Sequence, residues 1–364
     1  MSVYNPGTDS ASMAISTRDN LNRGKWFSEL QTYQRYPWCE IVMSEGIAKT
    51  APGKKLTFRS SDDPGLPKSR TGLYNTYTAD KHVSLYEGFQ YWRNGEETFA
   101  IDRRESVMNS GEAMVVSEEE VGLQAMYQRV CDSIELAGAT IAGPNDTLQE
   151  QGLPYFINCP SDASGADGAN NGFQGTVPAG HTLVCGLNPT TTATKYRNYA
   201  DLFTDFVYDE FTVKASDLMR SINFDPPPKG KSEGSAWDGM RIYLGDRTLT
   251  AYEAMMITGN DQLGRDGLPF FNNTILKGIT PTALPILDET AAANSNPIYF
   301  VNHRYLYPVF LPGYRFMEKM AEPVPMSHMV HWGVFWTYNW IAESRRRLGV
   351  MAMAAPFGEG AHGL

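Results

Sequence analysis

The sequence predicts an α+β fold, and three stretches carry that prediction. Residues 117–138 repeat apolar side chains at helical spacing. Met240–Leu244 and Ile298–Val301 read as short apolar strands around a helix. Val330–Ile341 alternates with period two, placing Val330, Trp332, Val334, Trp336, Tyr338 and Trp340 on one face. Helices and strands run in separate blocks rather than as a βαβ alternation, which is the α+β layout.

In chain order, residues 1–24 are polar and rich in Ser, Asn and Thr, and read as an arm. Trp26, Phe27, Leu30 and Tyr33 fall on one helical face, and Pro37 is expected to end that helix. Residues 51–82 are a long polar excursion. Lys55–Arg59 alternates like a strand, Pro64–Gly65 makes a turn, and strand-like text resumes over Val83–Trp92. A projecting two-stranded loop fits, and loops of that length inside compact domains usually carry function.

The helix at 117–138 opens on a capping box, Ser117 three residues before Glu120. Leu123, Met126, Tyr127, Val130, Ile134 and Ala137 form its apolar stripe, and Gly138 is placed to end it. Residues 143–190 lack a regular pattern. Lys195–Arg220 reads as helical through Leu202, Phe203, Phe206, Val207, Leu218 and Met219. Three prolines, 226–228, stop it. Thr250 and Glu253 form a second capping box, and Leu268–Phe271, Ile275–Leu276 and Leu284–Leu287 read as strands. Arg345, Arg346 and Arg347 follow the long closing strand. Repeats of 20–50 residues are absent.

Composition bounds the function classes. The chain has 364 residues, 42% hydrophobic and 12% aromatic, enough for a sizeable core and for interfaces. Its formal charge of −10 opposes tight phosphate binding, so a DNA-reading domain is disfavoured more strongly than a DNA container. Cys39, Cys131, Cys159 and Cys185 match no zinc or redox spacing and read as buried thiols of a reducing compartment. The N-terminus lacks a signal-peptide pattern, and the sequence contains no membrane-length apolar run, so the expectation is a soluble chain made in the cytoplasm with no membrane partner. On that expectation the triplets at Asn145 and Asn272 carry no glycan.

The search for chemistry yields no catalytic, cofactor or metal residues. There is no phosphate-binding Gly-Lys-Ser/Thr and no nucleophile elbow. The glycines 165, 168, 172 and 175 lack flanking elements. His328 and His331, three apart on a strand, face opposite sides and lack a third ligand. Glu118–Glu120 suit a helix start and Asp62–Asp63 a turn. The arginine run reads in three ways: DNA phosphates, an acidic neighbour across a subunit contact, or a solvated face.

Several phrases together resemble the Hong-Kong-97-like major capsid proteins of tailed bacteriophages. KKLTFR at 54–59 is similar to the start of their extended loop, and SEEEVGLQAMYQRVCDSIELAGA at 117–139 to their spine helix. MRIYLGDRTLTAYEAMM (240–256) and GLPFFNNTIL (267–276) resemble the axial domain; NPIYFVN (296–302) and WTYNWIAESRRRLGVM (336–351) resemble the closing segments. The resemblance implies an N-terminal arm and short helix at 1–50 and an extended E-loop at 51–100. It implies a peripheral domain at 101–225 with the spine helix at 117–138 and an insertion at 143–195. An axial domain at 226–325 and a returning C-terminal strand at 326–364 complete it. It further implies a non-enzymatic subunit forming hexamers and pentamers of an icosahedral shell around double-stranded DNA, located in the virion. Portal, scaffold or decoration proteins would be further partners. Candidate inter-subunit contacts are Trp26, Lys54, Lys55, Arg59, Lys68, Arg70, Arg345, Arg346 and Arg347. Two alternatives stand beside it: an encapsulin-type compartment, and a β-rich carbohydrate-active or carbohydrate-binding protein.

Overall fold

The structure, a computed structural model, describes residues 36–43, 46–61, 85–104, 118–159, 172–224, 239–261, 276, 279–289, 296–323 and 328–353. The helices are α1 (Pro37–Met43), α2 (Glu118–Ala139), α3 (Leu153–Phe156), α4 (Tyr208–Ser221), α5 (Asp246–Asp261) and α6 (Ile286–Glu289). The strands are β1 (Lys49–Thr50), β2 (Leu56–Ser61), β3 (Leu85–Gln90), β4 (Arg93–Asp102), β5 (Gly172–Gly175), β6 (Asn198–Phe203) and β7 (Met240–Leu244). After them come β8 (Thr282–Ala283), β9 (Ile298–Asn302), β10 (Leu306–Phe310), β11 (Met317–Pro323), β12 (Met329–Ala342) and β13 (Gly349–Met353). The chain is α+β, as its sequence predicts.

Two compact units divide it. The first comprises Met1–Tyr36, Gly95–Ser133 and Phe316–Trp336; the second comprises Pro37–Asn94, Ile134–Arg315 and Thr337–Leu364. In the first unit β11 runs antiparallel to β12, with Met317 opposite Phe335, and β4 also pairs with β12. The early turns of α2 pack there. Phe99 lies against Gly122 and sits 5.5 Å from Trp332. Met126 and Val130 of the predicted stripe are buried, while Tyr127 stays at the rim and donates to Glu318 Oε1 at 2.8 Å.

The second unit holds a six-stranded sheet in the order β5-β6-β13-β9-β7-β8. Its interior is built by Phe203, Phe211, Leu218, Ile242, Tyr252, Phe300, Met351 and their neighbours, with α4 and α5 supplying the helical side. A smaller set of strands has β10 antiparallel to β12, Leu306 opposite Ala342, with β1 parallel on β10. The hairpin β2–β3 pairs antiparallel from Leu56 opposite Gln90 to Ser61 opposite Leu85.

Several expectations change. Pro37 opens a helix, since proline lacks only an N–H that a first turn leaves unpaired anyway; the helix it was expected to end lies outside the described residues. The stripe at 26–33, the turn at Pro64–Gly65 and the text at 268–271 lie outside the described residues. Gly138 does not end α2; it is a close-approach residue, because a Cβ there would run into the Trp38 ring. Leu202 and Phe203 belong to β6, not a helix: Asn198–Phe203 is buried on both faces, which erases any period. Thr250 is no cap. Helix α5 begins at Asp246, and the Thr250 hydroxyl donates back to the Asp246 carbonyl at 3.0 Å. The strand expected at Leu284–Leu287 is the short helix α6 behind the two-residue β8.

Candidate functional site

The hairpin β2–β3 has one face rooted and one face free. Leu56, Phe58 and Gln90 are buried on the inward side, whereas Thr57, Arg59, Glu87 and Leu85 are exposed on the outward side. Leu85 is 62% exposed. The root is a set of bonds to a loop nearly a hundred residues away. Phe89 N donates to the Cys185 carbonyl at 2.8 Å, and Gln90 Nε2 approaches Cys185 Sγ at 3.5 Å. The Phe58 ring sits 6.1 Å from that of Tyr196, and Trp92 Nε1 donates to the Gly53 carbonyl at 2.7 Å. Burial pushes the Cys185 thiol up and Tyr155 to about 12, so the root is uncharged at neutral pH.

The expected contact residues fall into three groups. Trp26, Lys68 and Arg70 lie outside the described residues. Lys54 and Arg59 are exposed on the hairpin. Lys55 lies 3.7 Å from Glu87 in an exposed pair and 4.8 Å from the Phe89 ring centroid. Such an exposed pair contributes little to stability, which leaves both charges available to a partner.

The arginine run, a turn of 3₁₀ helix at Arg345–Arg347, does not act as one surface. Arg345 is fully buried. Its Nε donates to the Phe156 carbonyl at 2.7 Å and Nη1 to the carbonyls of Thr176 (2.7 Å) and Tyr196 (3.3 Å). Nη2 donates to Asn198 Oδ1 at 2.7 Å. Three carbonyls and an amide, not a carboxylate, hold this cation, and its burial lowers it to about 10. A neighbouring subunit or DNA cannot reach it, which sets Arg345 apart from the contact role expected of the run. Arg346 remains exposed over Phe173, 4.0 Å from the centroid, and Arg347 is half-buried with Nη1 at 3.4 Å from the Ile222 carbonyl. These bonds organise the pattern-poor segment. Asn158 and Asn198 bond reciprocally, at 3.1 and 2.8 Å, beside the guanidinium. Nothing local in the sequence marks this, because the partners are three distant backbone carbonyls and one distant side-chain amide.

Sequence reasoning also missed Glu135. It lies in the buried run of α2 and accepts from Cys39 N at 3.0 Å and Trp38 N at 3.4 Å, holding the start of α1. Among the described residues no three His, Cys, Asp or Glu side chains could hold a metal ion, and no helix is long and apolar enough to cross a membrane.

A scan against protein-family models finds no match, and no curated protein matches at a significant level. Solved structures do match over nearly the whole chain. The capsid protein of cyanophage A-1(L) aligns with 90% of this chain and 93% of its own, at TM-score 0.58 and 12% identity. The capsid of the native GTA particle covers 91% and 95%, at 0.55 and 12%. The encapsulin of a holo complex from Synechococcus elongatus covers 97% and 96%, at 0.53 and 8%. The fold is therefore that of the shell-building capsid proteins. More particularly, it is the Hong-Kong-97-like α+β fold of phage major capsid proteins that the sequence resembles.

Proposed function

We propose that the chain is the major capsid subunit of a tailed phage, assembling into hexamers and pentamers of an icosahedral shell around double-stranded DNA. The observation that carries this reading is the hairpin. It is rooted by directed bonds, yet its outer face offers Leu85, Arg59, Lys55 and Glu87 to water. Such an element gains most of its stabilisation from a neighbouring copy, in head-to-tail contacts that close into rings. The domain division expected from the resemblance, the contact roles of Lys54, Lys55 and Arg59, and partnership with portal, scaffold or decoration proteins belong to the same proposal. So do its location in the virion and its synthesis in the host cytoplasm. An acidic chain suits a container that encloses DNA without gripping it.

The encapsulin likeness supports a second reading, a compartment around protein cargo. Electron microscopy of native particles, with and without nuclease treatment of their contents, separates the two. Wild-type protein that stays a 40.5 kDa monomer at high concentration would overturn both. The triple variant K54E/K55E/R59E tests the hairpin itself. It is expected to fold like the wild type, because its three side chains are exposed, and to lose particles. Particles at wild-type yield would remove the hairpin from the argument.

A further inference from the structure

The second unit contains two chain crossings between its strand systems. One is β9 to β10, through His303, Arg304 and Tyr305; the other is β12 to β13, through the arginine turn. The crossings are bonded to each other. Glu343 N donates to the Tyr305 carbonyl at 2.8 Å, and the Tyr307 hydroxyl donates to Glu343 Oε1.

His303 sits inside the first crossing and is 3% exposed. Its backbone N–H donates to the Gly239 carbonyl at 2.7 Å. Its Nδ1 lies 3.0 Å from the Leu306 carbonyl, which can only accept, so Nδ1 carries the proton. Nε2 is then the acceptor for the Tyr243 hydroxyl at 2.5 Å. The neutral ring is thus saturated, and it ties the first residue of β10 to the next-to-last residue of β7.

The surroundings offer a second proton nothing. Trp38 from α1 and Trp340 from β12 flank the ring, each with centroids 6.1 Å away. From β7 come Tyr243 and the cation of Arg241. Arg304, next in the turn, is exposed. From α2, the carboxylate of Glu135 faces this cluster but accepts from the N–H groups of Trp38 and Cys39. Protonating Nε2 would make the Tyr243 hydroxyl turn round and accept, giving up the bond it donates, and would bury a cation near Arg241.

We propose that His303 is an acid-released latch on the corner that joins the two strand systems of the second unit. Burial, aided by Arg241, holds its proton affinity down, from 6.5 to about 4. The sign follows. A histidine depressed in the closed corner binds protons better once the corner opens. Closure is at full strength above about pH 6.5 and weakens as pH falls toward 4, then levels off. The full depression corresponds to roughly a 300-fold rise in the open fraction. This holds for the subunit whether or not it forms a shell.

Hydrogen–deuterium exchange tests it on the full chain, between pH 7 and 4, with rates corrected for intrinsic pH dependence. Peptides covering 298–310 should lose protection by about two decades by pH 4, while 211–222 in α4 keeps theirs. In His303→Gln the loss at 298–310 should vanish. In Tyr243→Phe, which leaves a protonated Nε2 without the hydroxyl as acceptor, the acid loss should not shrink. Equal loss at 298–310 and 211–222 would overturn the latch, as would an unchanged loss in His303→Gln. If that variant does not fold, an acid loss that shrinks in Tyr243→Phe decides against the latch in the same way.

Discussion

Replacing Arg345 separates an interior tie from a surface charge. Arg345→Met keeps the volume of the stem and removes every donor. Asn198 Oδ1 retains Asn158 N at 3.1 Å, but the carbonyls of Phe156, Thr176 and Tyr196 lose their guanidinium donor. A buried acceptor without a partner costs about 1–3 kcal/mol. Three at the low end give about 3 kcal/mol, a value already softened by no longer burying a cation. That is a large share of a typical domain stability of about 5–15 kcal/mol. Arg345→Lys keeps the charge but reaches fewer acceptors from one point, so it should fall between. Arg346→Ala removes only an exposed cation from the Phe173 face, about 0.5–1 kcal/mol. Urea unfolding of the unassembled subunit, followed by tryptophan emission, measures the three. Arg345→Met within 1 kcal/mol of wild type, or Arg346→Ala the more damaging, would refute the assignment.

Two further outcomes follow from packing and charge. Gly152→Ala places a Cβ among the carbonyl oxygens of Ala137, Gly138 and Thr140, all backbone, so the cost should reach about 3 kcal/mol, the top of the usual overpacking range, in the same urea experiment. Asp201 is 3% exposed and its Oδ2 has no hydrogen-bond partner among the described residues, while burial raises its proton affinity above the ordinary value of 3.8. The folded state holds that proton more tightly, so stability falls as pH rises above about 3.8. Asp201→Asn should therefore raise the calorimetric midpoint at pH 7 by about 2–4 °C, roughly 1 kcal/mol, and lose the advantage near pH 4.

What the sequence made legible follows the range of each interaction. Helix α2 shows because its buried residues Met126, Val130 and Ile134 recur within one element. The alternation of β12 shows for the same reason. The outward face of the hairpin, with Lys54, Lys55 and Arg59, was also readable, being local and polar. Strand β10 was not, since Pro308 in its middle argues against a strand; yet Pro308 pairs opposite Trp340. Strand β13 was hidden behind the arginine run that precedes it. The root of the hairpin at Cys185, the Arg345 bonds and the Glu135 contact to α1 join positions about a hundred or more residues apart. No period or spacing encodes such pairs.

The interior position of Arg345 also bears on the acidity of the chain. A count of 31 basic against 41 acidic residues treats every arginine as surface charge. Arg345 is withdrawn from that surface, but among the described residues so are Glu135, Glu150 and Asp201, so burial removes more negative than positive charge and the field that solvent meets is somewhat less negative than the count implies. The hairpin works in the same direction: among the described residues at it, the exposed Lys54, Lys55 and Arg59 stand against the exposed Glu87. In the proposed shell, repulsion between acidic bodies and attraction through such hairpins would favour contacts in which one copy's hairpin meets another copy's body. Those contacts are directional, and they weaken with salt over the screening length of roughly 8 Å at physiological ionic strength. A closed shell requires that directionality. The proposed contacts would also need a hairpin held at its root, and the hydrogen bonds at Cys185 and Trp92 with the Phe58–Tyr196 ring contact hold it.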